Sequence, residues 1–198
     1  MHPLKEELAE IGRSLKRNSS ETIIIASAVL FLCLERYHPI EPEWLGTFIY
    51  CAVCPIAVIL IILRKNPIDF GLRLGVRRIW SLHVGVICLI AAIVLYASSF
   101  SSSLQSFYRS ADFDFLKYFW TSCISLFAWE FIYRGYLLFG LKNKLKEGVI
   151  LLQMIPFALM HLGKPELETI STIFTGVIFG YVAYRGKSFW PAFIIHLF

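Results

Sequence analysis

The sequence is poor in charged side chains. Only 17% of its 198 residues are Asp, Glu, Lys or Arg, whereas a soluble domain has about a quarter. Hydrophobic residues make up 57% of the chain, and the mean hydropathy is +0.65. This abundance of apolar residues excludes intrinsic disorder. Charged residues are missing mainly from long apolar blocks, and this distribution indicates a membrane protein.

Cysteine is scarce as well, with five in the whole chain. So few cysteines in a chain of this size exclude a secreted disulfide scaffold. Cys51 and Cys54 form a CxxC pair inside an apolar block, where ordinary packing is expected. The basic residues give a pI of about 9.0, but they separate hydrophobic segments instead of forming one face. We therefore expect no nucleic-acid partner.

The apolar blocks have the length of membrane spans, which is about 20 residues. They are found near 20–37, 44–63, 80–98, 113–140, 147–162, 168–184 and 189–198. We predict an all-α, polytopic transmembrane bundle of about seven spans, forming a single membrane domain over 1–198. The loop 66–73 has turn residues at both ends, which predicts an interfacial connector.

The distribution of Lys and Arg predicts the orientation. These residues cluster before the first block, between the second and third, after the fourth and after the sixth. This alternation of basic and less basic connections predicts a cytoplasmic amino terminus. Topology and attraction to anionic lipid therefore explain the excess of basic residues. Within residues 1–18, Leu4, Leu8, Ile11 and Leu15 recur at helical spacing with charge on the opposite face. This pattern predicts a short amphipathic helix on the membrane surface.

Two charged residues lie well inside the ends of the fourth block. Each costs a few kcal/mol there on insertion scales and is therefore a candidate for function. Glu130 and Arg134 are four residues apart, so they share one helical face and can pair. The alternative is a purely structural ion pair between helices. His161 ends the fifth block and His196 lies in the seventh. A lone histidine in an apolar block is more often a packing residue. Two histidines together with a Glu and an Arg, on three different blocks, predict one polar cavity.

A carboxylate and imidazoles in such a cavity can hold and deprotonate a water, which then attacks a peptide carbonyl. This mechanism requires no cofactor. Glu130, His161 and His196 would also serve as a zinc set. The sequence has no HxxxH or HExxH spacing around them, so the metal signal is weak.

These residues fall in recognisable motifs. The segments 129–135 (WEFIYRG) and 157–161 (FALMH), with His196, resemble the motifs EExxxR, FxxxH and HxxxN. Those are the motifs of the CAAX protease and bacteriocin-processing (CPBP, or Abi) family of intramembrane endopeptidases. The resemblance covers about 115–198, and the motifs occur in the family's order.

The resemblance implies a bundle of seven or eight helices that cleaves a peptide bond at the membrane. Family members include the enzyme that trims prenylated CAAX proteins and bacterial proteins for bacteriocin maturation or self-immunity. In the family the first Glu and the two His are thought to activate water. The second Glu and the Arg support them, and the Asn helps to stabilise the oxyanion.

The sequence departs from this pattern at two positions. Trp129 stands where the family has its first Glu, and the Asn of the third motif would be residue 200, beyond Phe198. Three accounts are open. Glu130 serves as the carboxylate on a helix rotated by about 100°; Glu166 or Glu168 supplies the acid; or the protein is an inactive relative that binds without cutting.

We expect an intramembrane endopeptidase in which Glu130 and His161 polarise a water. His196 would contact the developing oxyanion, and Arg134 would position Glu130. The alternative function is a non-catalytic membrane immunity or scaffold protein that binds a peptide. The expected partners are a membrane protein or peptide substrate and the lipid bilayer. The expected location is the plasma (inner) membrane of a prokaryote.

Overall fold

The computed structural model describes residues 3–109 and 113–198. Within these ranges all regular structure is helical, which confirms the predicted all-α class. Residues 1 and 2 of the predicted amphipathic helix lie outside the described residues. The helices are α1 (Pro3–Arg17), α2 (Ser19–Tyr37), α3 (Glu43–Ile62), α4 (Arg77–Ser98), α5 (Ser102–Tyr108), α6 (Phe115–Glu130), α7 (Leu138–Leu145), α8 (Gly148–Leu159), α9 (Glu166–Gly186) and α10 (Trp190–Leu197).

Three of the described helices, α3, α4 and α9, are long and apolar enough to cross a membrane. The pair α1 and α2 is bent by 87° and adds a fourth if it is counted as one span. The protein is therefore a helical membrane protein. The count of about seven spans and the cytoplasmic amino terminus stay predictions.

Helix α1 forms where the helical spacing of apolar residues predicted a helix. Its apolar side chains Leu8, Ile11 and Leu15 are each more than half exposed. The sharp bend before α2 leaves this stripe facing away from the bundle. A helix lying on a membrane surface requires such a free apolar face.

The most deeply buried part of the chain is a π-helical segment, Phe131–Leu137, which continues α6 directly into α7. All seven of its residues are buried. By contrast, every residue of α4 is at least partly exposed, and many of its apolar side chains are more than half exposed. The bundle thus places a polar-containing helix at its centre and an apolar helix towards lipid, as the solvent properties of a bilayer require.

Helices α8 and α9 pack closely because α9 carries glycines at the contact. A Cβ on Gly176 would lie 2.9 Å from Cγ of Met154 and 3.0 Å from Cδ1 of Phe157. The Gln153 side-chain amide donates to the carbonyls of Ile150 and Gly176, both at 2.8 Å. This close approach orients the end of α8, where His161 follows.

The loop 66–73 has the predicted turns but is not a simple interfacial connector. The Asn66 side chain accepts from the Ile68 N–H at 3.0 Å and begins a 3₁₀ turn, Pro67–Phe70. Phe70 is buried and stacks on Tyr136 with ring centroids 6.0 Å apart. Its aromatic ring adds the buried area that fixes this loop against the π-helical segment.

Candidate active site

The predicted ion pair forms at the end of α6. Nη1 of Arg134 donates to Oε1 of Glu130 at 2.8 Å, and both side chains are fully buried. Because Glu130 ends α6 and Arg134 lies in the π-helical segment, one continuous helix carries both groups. The spacing of four residues alone is enough to predict this contact.

Helix α10 adds His196 to the pair. Its Nδ1 lies 2.8 Å from the same Oε1 of Glu130, although 66 residues separate the two in sequence. A carboxylate oxygen accepts, so Nδ1 carries the hydrogen and Nε2 is left available for chemistry. The His196 side chain is 21% exposed. Arg134, Glu130 and His196 thus form one continuous hydrogen-bonded chain with an accessible end.

His161 lies beside this chain without joining it directly. Its Nδ1 is 2.8 Å from the carbonyl oxygen of Phe157, so this imidazole also presents Nε2. The Phe157 ring centroid is 4.7 Å from that of His161 and 5.8 Å from that of His196. The structure therefore brings Glu130, Arg134 and His196 together. In the described part of the chain, it places His161 one aromatic ring away and outside hydrogen-bond contact with Glu130.

Aromatic rings surround the buried guanidinium. Cζ of Arg134 lies 4.1 Å from the ring centroid of Phe157, 5.2 Å from that of Phe179 and 5.5 Å from that of Tyr133. Cation–π attraction is strongest when both partners are desolvated. These rings therefore supply part of the stabilisation that water would give an exposed arginine.

Buried polar atoms without partners concentrate in the same helical turn. Among the residues that the structure describes, Oε2 of Glu130, the hydroxyl of Tyr133, and Nε and Nη2 of Arg134 have no hydrogen-bond partner. Buried polar atoms without a partner are rare in folded proteins and often mark a functional site or a bound water. A cavity of about 40 Å³ adjoins this turn, enough for a small number of waters. It is lined by Trp129, Tyr133, Phe157, Met160, His161 and Lys164.

The described residues do not form a metal site. Within 3–109 and 113–198, no three His, Cys, Asp or Glu side chains lie close enough to hold one ion. Glu130, His161 and His196 are thus not arranged as the zinc set that the sequence suggested as an alternative.

The contacts of Glu166 and Glu168 do not support the alternative in which one of them supplies the catalytic carboxylate. Glu168 pairs with Nζ of Lys164 at 2.8 Å and accepts from the Tyr108 hydroxyl at 2.6 Å. Burial, followed by this hydrogen bond, raises the pKa of Tyr108 above its ordinary value. Glu166 is exposed. Glu168 is thus committed to contacts at the start of α9.

Sequence reasoning missed an acidic residue at the site. Glu35 on α2 accepts a hydrogen bond through Oε1 from Nε1 of Trp129 at 2.9 Å and from the Thr47 hydroxyl at 2.8 Å. Sγ of Cys51 lies 3.3 Å from Oε2, so this cysteine does more than fill space. The signal was present, because Glu35 is an acidic residue inside the first predicted span.

Glu35 also lines a larger chamber of about 560 Å³. Trp129, Met160 and Lys164 border both this chamber and the small cavity. The indole of Trp129, which stands where the motif has its first Glu, therefore belongs to the wall between the two spaces. Its N–H is directed to the carboxylate of another helix.

The described residues form a helical membrane protein with a buried group of charged side chains at its centre. Residues 111–198 match the family model described as Rce1-like, type II CAAX prenyl endopeptidase Rce1-like. This match covers the region of the three motifs and agrees with the resemblance drawn from them. No curated protein and no solved structure was found to match the chain.

Proposed function

We propose that the protein is an intramembrane endopeptidase that cleaves a protein or peptide substrate with an activated water. One observation carries the proposal. The buried chain of Arg134, Glu130 and His196 lies beside a small cavity that is lined by His161. The match of residues 111–198 to a family described as prenyl endopeptidases supports a protease function.

In the proposed reaction, Nε2 of His161 takes a proton from a water in the cavity, and the water oxygen attacks the peptide carbonyl carbon. His196, when protonated, donates from Nε2 to the developing oxyanion. The C–N bond then breaks, and the leaving nitrogen takes its proton from the His161 imidazolium. The oxygen of the water ends in the new carboxyl group.

Glu130 takes a different part from the one expected from sequence. Its Oε1 is engaged by both Arg134 and His196, so we assign it to orienting the His196 ring, as the carboxylate does in Ser-His-Asp sites. Its Oε2 is buried and has no hydrogen-bond partner among the described residues. Arg134 holds the carboxylate in place and balances its charge.

The test is the substitution of Glu130→Gln, His161→Ala and His196→Ala. Each is expected to abolish the new peptide termini that mass spectrometry detects in membranes carrying the parent chain. His83→Ala is a matched control, because His83 on α4 also contacts a carbonyl four residues earlier through Nδ1, at 2.6 Å from Ile79. It is expected to cut as the parent does. Full activity in all three site variants contradicts the proposal.

A second function is favoured by one observation, the Trp129 in place of the first acidic residue. Here the protein is a membrane immunity or scaffold protein that binds a peptide in the same cavity without cutting it. The parent chain would then produce no new termini, and the same substitutions would weaken capture of the partner.

We further propose a prokaryotic plasma membrane as the location. The alternating basic loops and the apolar exposed surface of α4 support a multi-pass protein in a bilayer with anionic lipid.

A further inference from the structure

The hydroxyl of Tyr133 is a buried polar group that the reaction above leaves unused. The side chain is 1% exposed, and its oxygen has no hydrogen-bond partner among the described residues. A buried hydroxyl left in this state is unfavourable, because it has lost its contacts with water without gaining others. The group is therefore suited to a partner that arrives with the substrate.

Its position is one helical turn from Glu130, on the wall of the small cavity that His161 also lines. Two hydrogen-bond donors on the same cavity wall are already paired with other groups. The Trp129 N–H is bonded to Glu35 and the Lys164 ammonium is bonded to Glu168.

We propose that Tyr133 is a catalytic residue whose hydroxyl donates a hydrogen bond to the carbonyl oxygen of the scissile peptide as that oxygen becomes negative. This rests on the proposed function, and it places a second donor at the oxyanion besides His196. No bond to Tyr133 forms or breaks, and the hydroxyl keeps its proton throughout.

The hydroxyl is covered in the substrate-free protein, so the cavity wall must shift before the oxygen can reach it. The wall contains Met160 and Lys164, two long unbranched side chains that change rotamer at little cost. The hydrogen bond strengthens as the carbonyl oxygen gains negative charge, so it stabilises the transition state more than the bound substrate. Such an interaction raises kcat rather than binding.

Tyr136 offers a matched control one turn further along the same helix. It is fully buried like Tyr133, but its hydroxyl is 2.7 Å from Oγ of Ser27 and therefore has a partner in the folded protein. Tyr133→Phe and Tyr136→Phe each remove one oxygen from a buried ring. They differ in whether that oxygen is already used for stability.

The experiment compares the parent chain, Tyr133→Phe, Tyr136→Phe and Glu130→Gln in the cells of origin, at matched protein levels. The rate at which new peptide termini appear in the membrane fraction is measured by mass spectrometry, and melting temperatures are measured on purified protein in detergent. Tyr133→Phe is expected to lower the rate by about 100- to 1,000-fold, as for loss of one oxyanion donor, with a melting temperature no lower than that of the parent. Tyr136→Phe is expected to lower the melting temperature and keep the rate.

If Glu130→Gln is inactive, two results overturn the role of Tyr133 and leave the proposed function standing. In one, Tyr133→Phe cuts at the parent's rate; in the other, it loses rate and melting temperature together, which marks a structural role. If the parent produces no new termini, or if Glu130→Gln cuts at the parent's rate, the proposed function fails and the role of Tyr133 falls with it.

Discussion

The buried ion pair allows a test that separates stability from function. Arg134→Met replaces the guanidinium by an apolar chain of similar length. It leaves the Glu130 carboxylate fully buried with His196 as its hydrogen-bond partner. Removing one member of a buried pair typically costs about 3 to 5 kcal/mol, because the remaining charge has no compensation.

The structure indicates a cost near the lower end of that range. His196 still donates to Oε1 of Glu130, so part of the compensation survives, and methionine still packs on Phe157 and Phe179 in place of the guanidinium. We therefore expect Arg134→Met to lower the free energy of unfolding by about 3 kcal/mol.

The double substitution Glu130→Leu with Arg134→Met removes both charges. Replacing a buried pair by apolar residues of similar volume is often neutral or stabilising, so the double variant is expected to be more stable than Arg134→Met and inactive as a protease. The assay is equilibrium unfolding in detergent micelles, paired with the measurement of new peptide termini.

Two outcomes refute this reasoning. A loss of less than about 1 kcal/mol in Arg134→Met would mean that the carboxylate is not confined in a dry environment. A double variant that is no more stable than the single one would mean that packing, and not the unpaired charge, controls the stability of this turn.

Two further predictions concern the surroundings of the site. Phe70→Ala is expected to lower the free energy of unfolding by about 3 to 5 kcal/mol, because the ring is 3% exposed and stacks on Tyr136. The control is Ile68→Ala, because Ile68 lies in the same turn and is half exposed. Equal losses of stability for the two variants in detergent unfolding would refute the packing of this loop. Glu35→Ala leaves the Trp129 N–H and the Thr47 hydroxyl without an acceptor and is expected to cost about 1 to 3 kcal/mol. Glu35→Gln keeps an acceptor oxygen and should recover most of this stability, so equal melting temperatures for the two variants would contradict the contact.

Much of the fold could be predicted because the relevant signals are local. Runs of about 20 apolar residues predict helices in lipid, and α2, α3, α4 and α9 lie where such runs were found. The pairing of Glu130 with Arg134 is local in the same sense, since four residues make about one helical turn. The match of residues 111–198 to the family model could also be anticipated, because the motifs that carry it are short and each lies within a few consecutive residues.

The contacts between distant helices could not be predicted in this way. The rotation of each helix about its axis decides which face meets which neighbour, and hydropathy carries little of that information in a chain that is apolar on most faces. The contact of Glu35 with Trp129 spans 94 residues. The sequence named two histidines and one acid, but it did not show that His196 binds Glu130 while His161 stays apart.

By itself, the sequence determined the class of this protein and the set of polar residues that a bilayer makes costly. The tertiary structure decided how those residues are used. Helix packing joined α10 to Glu130, turned Trp129 towards α2 and left the Tyr133 hydroxyl without a partner among the residues that the structure describes. The physical reason is that the cost of burying a polar group depends on its own chemistry, whereas its partner depends on which helices come within hydrogen-bond distance.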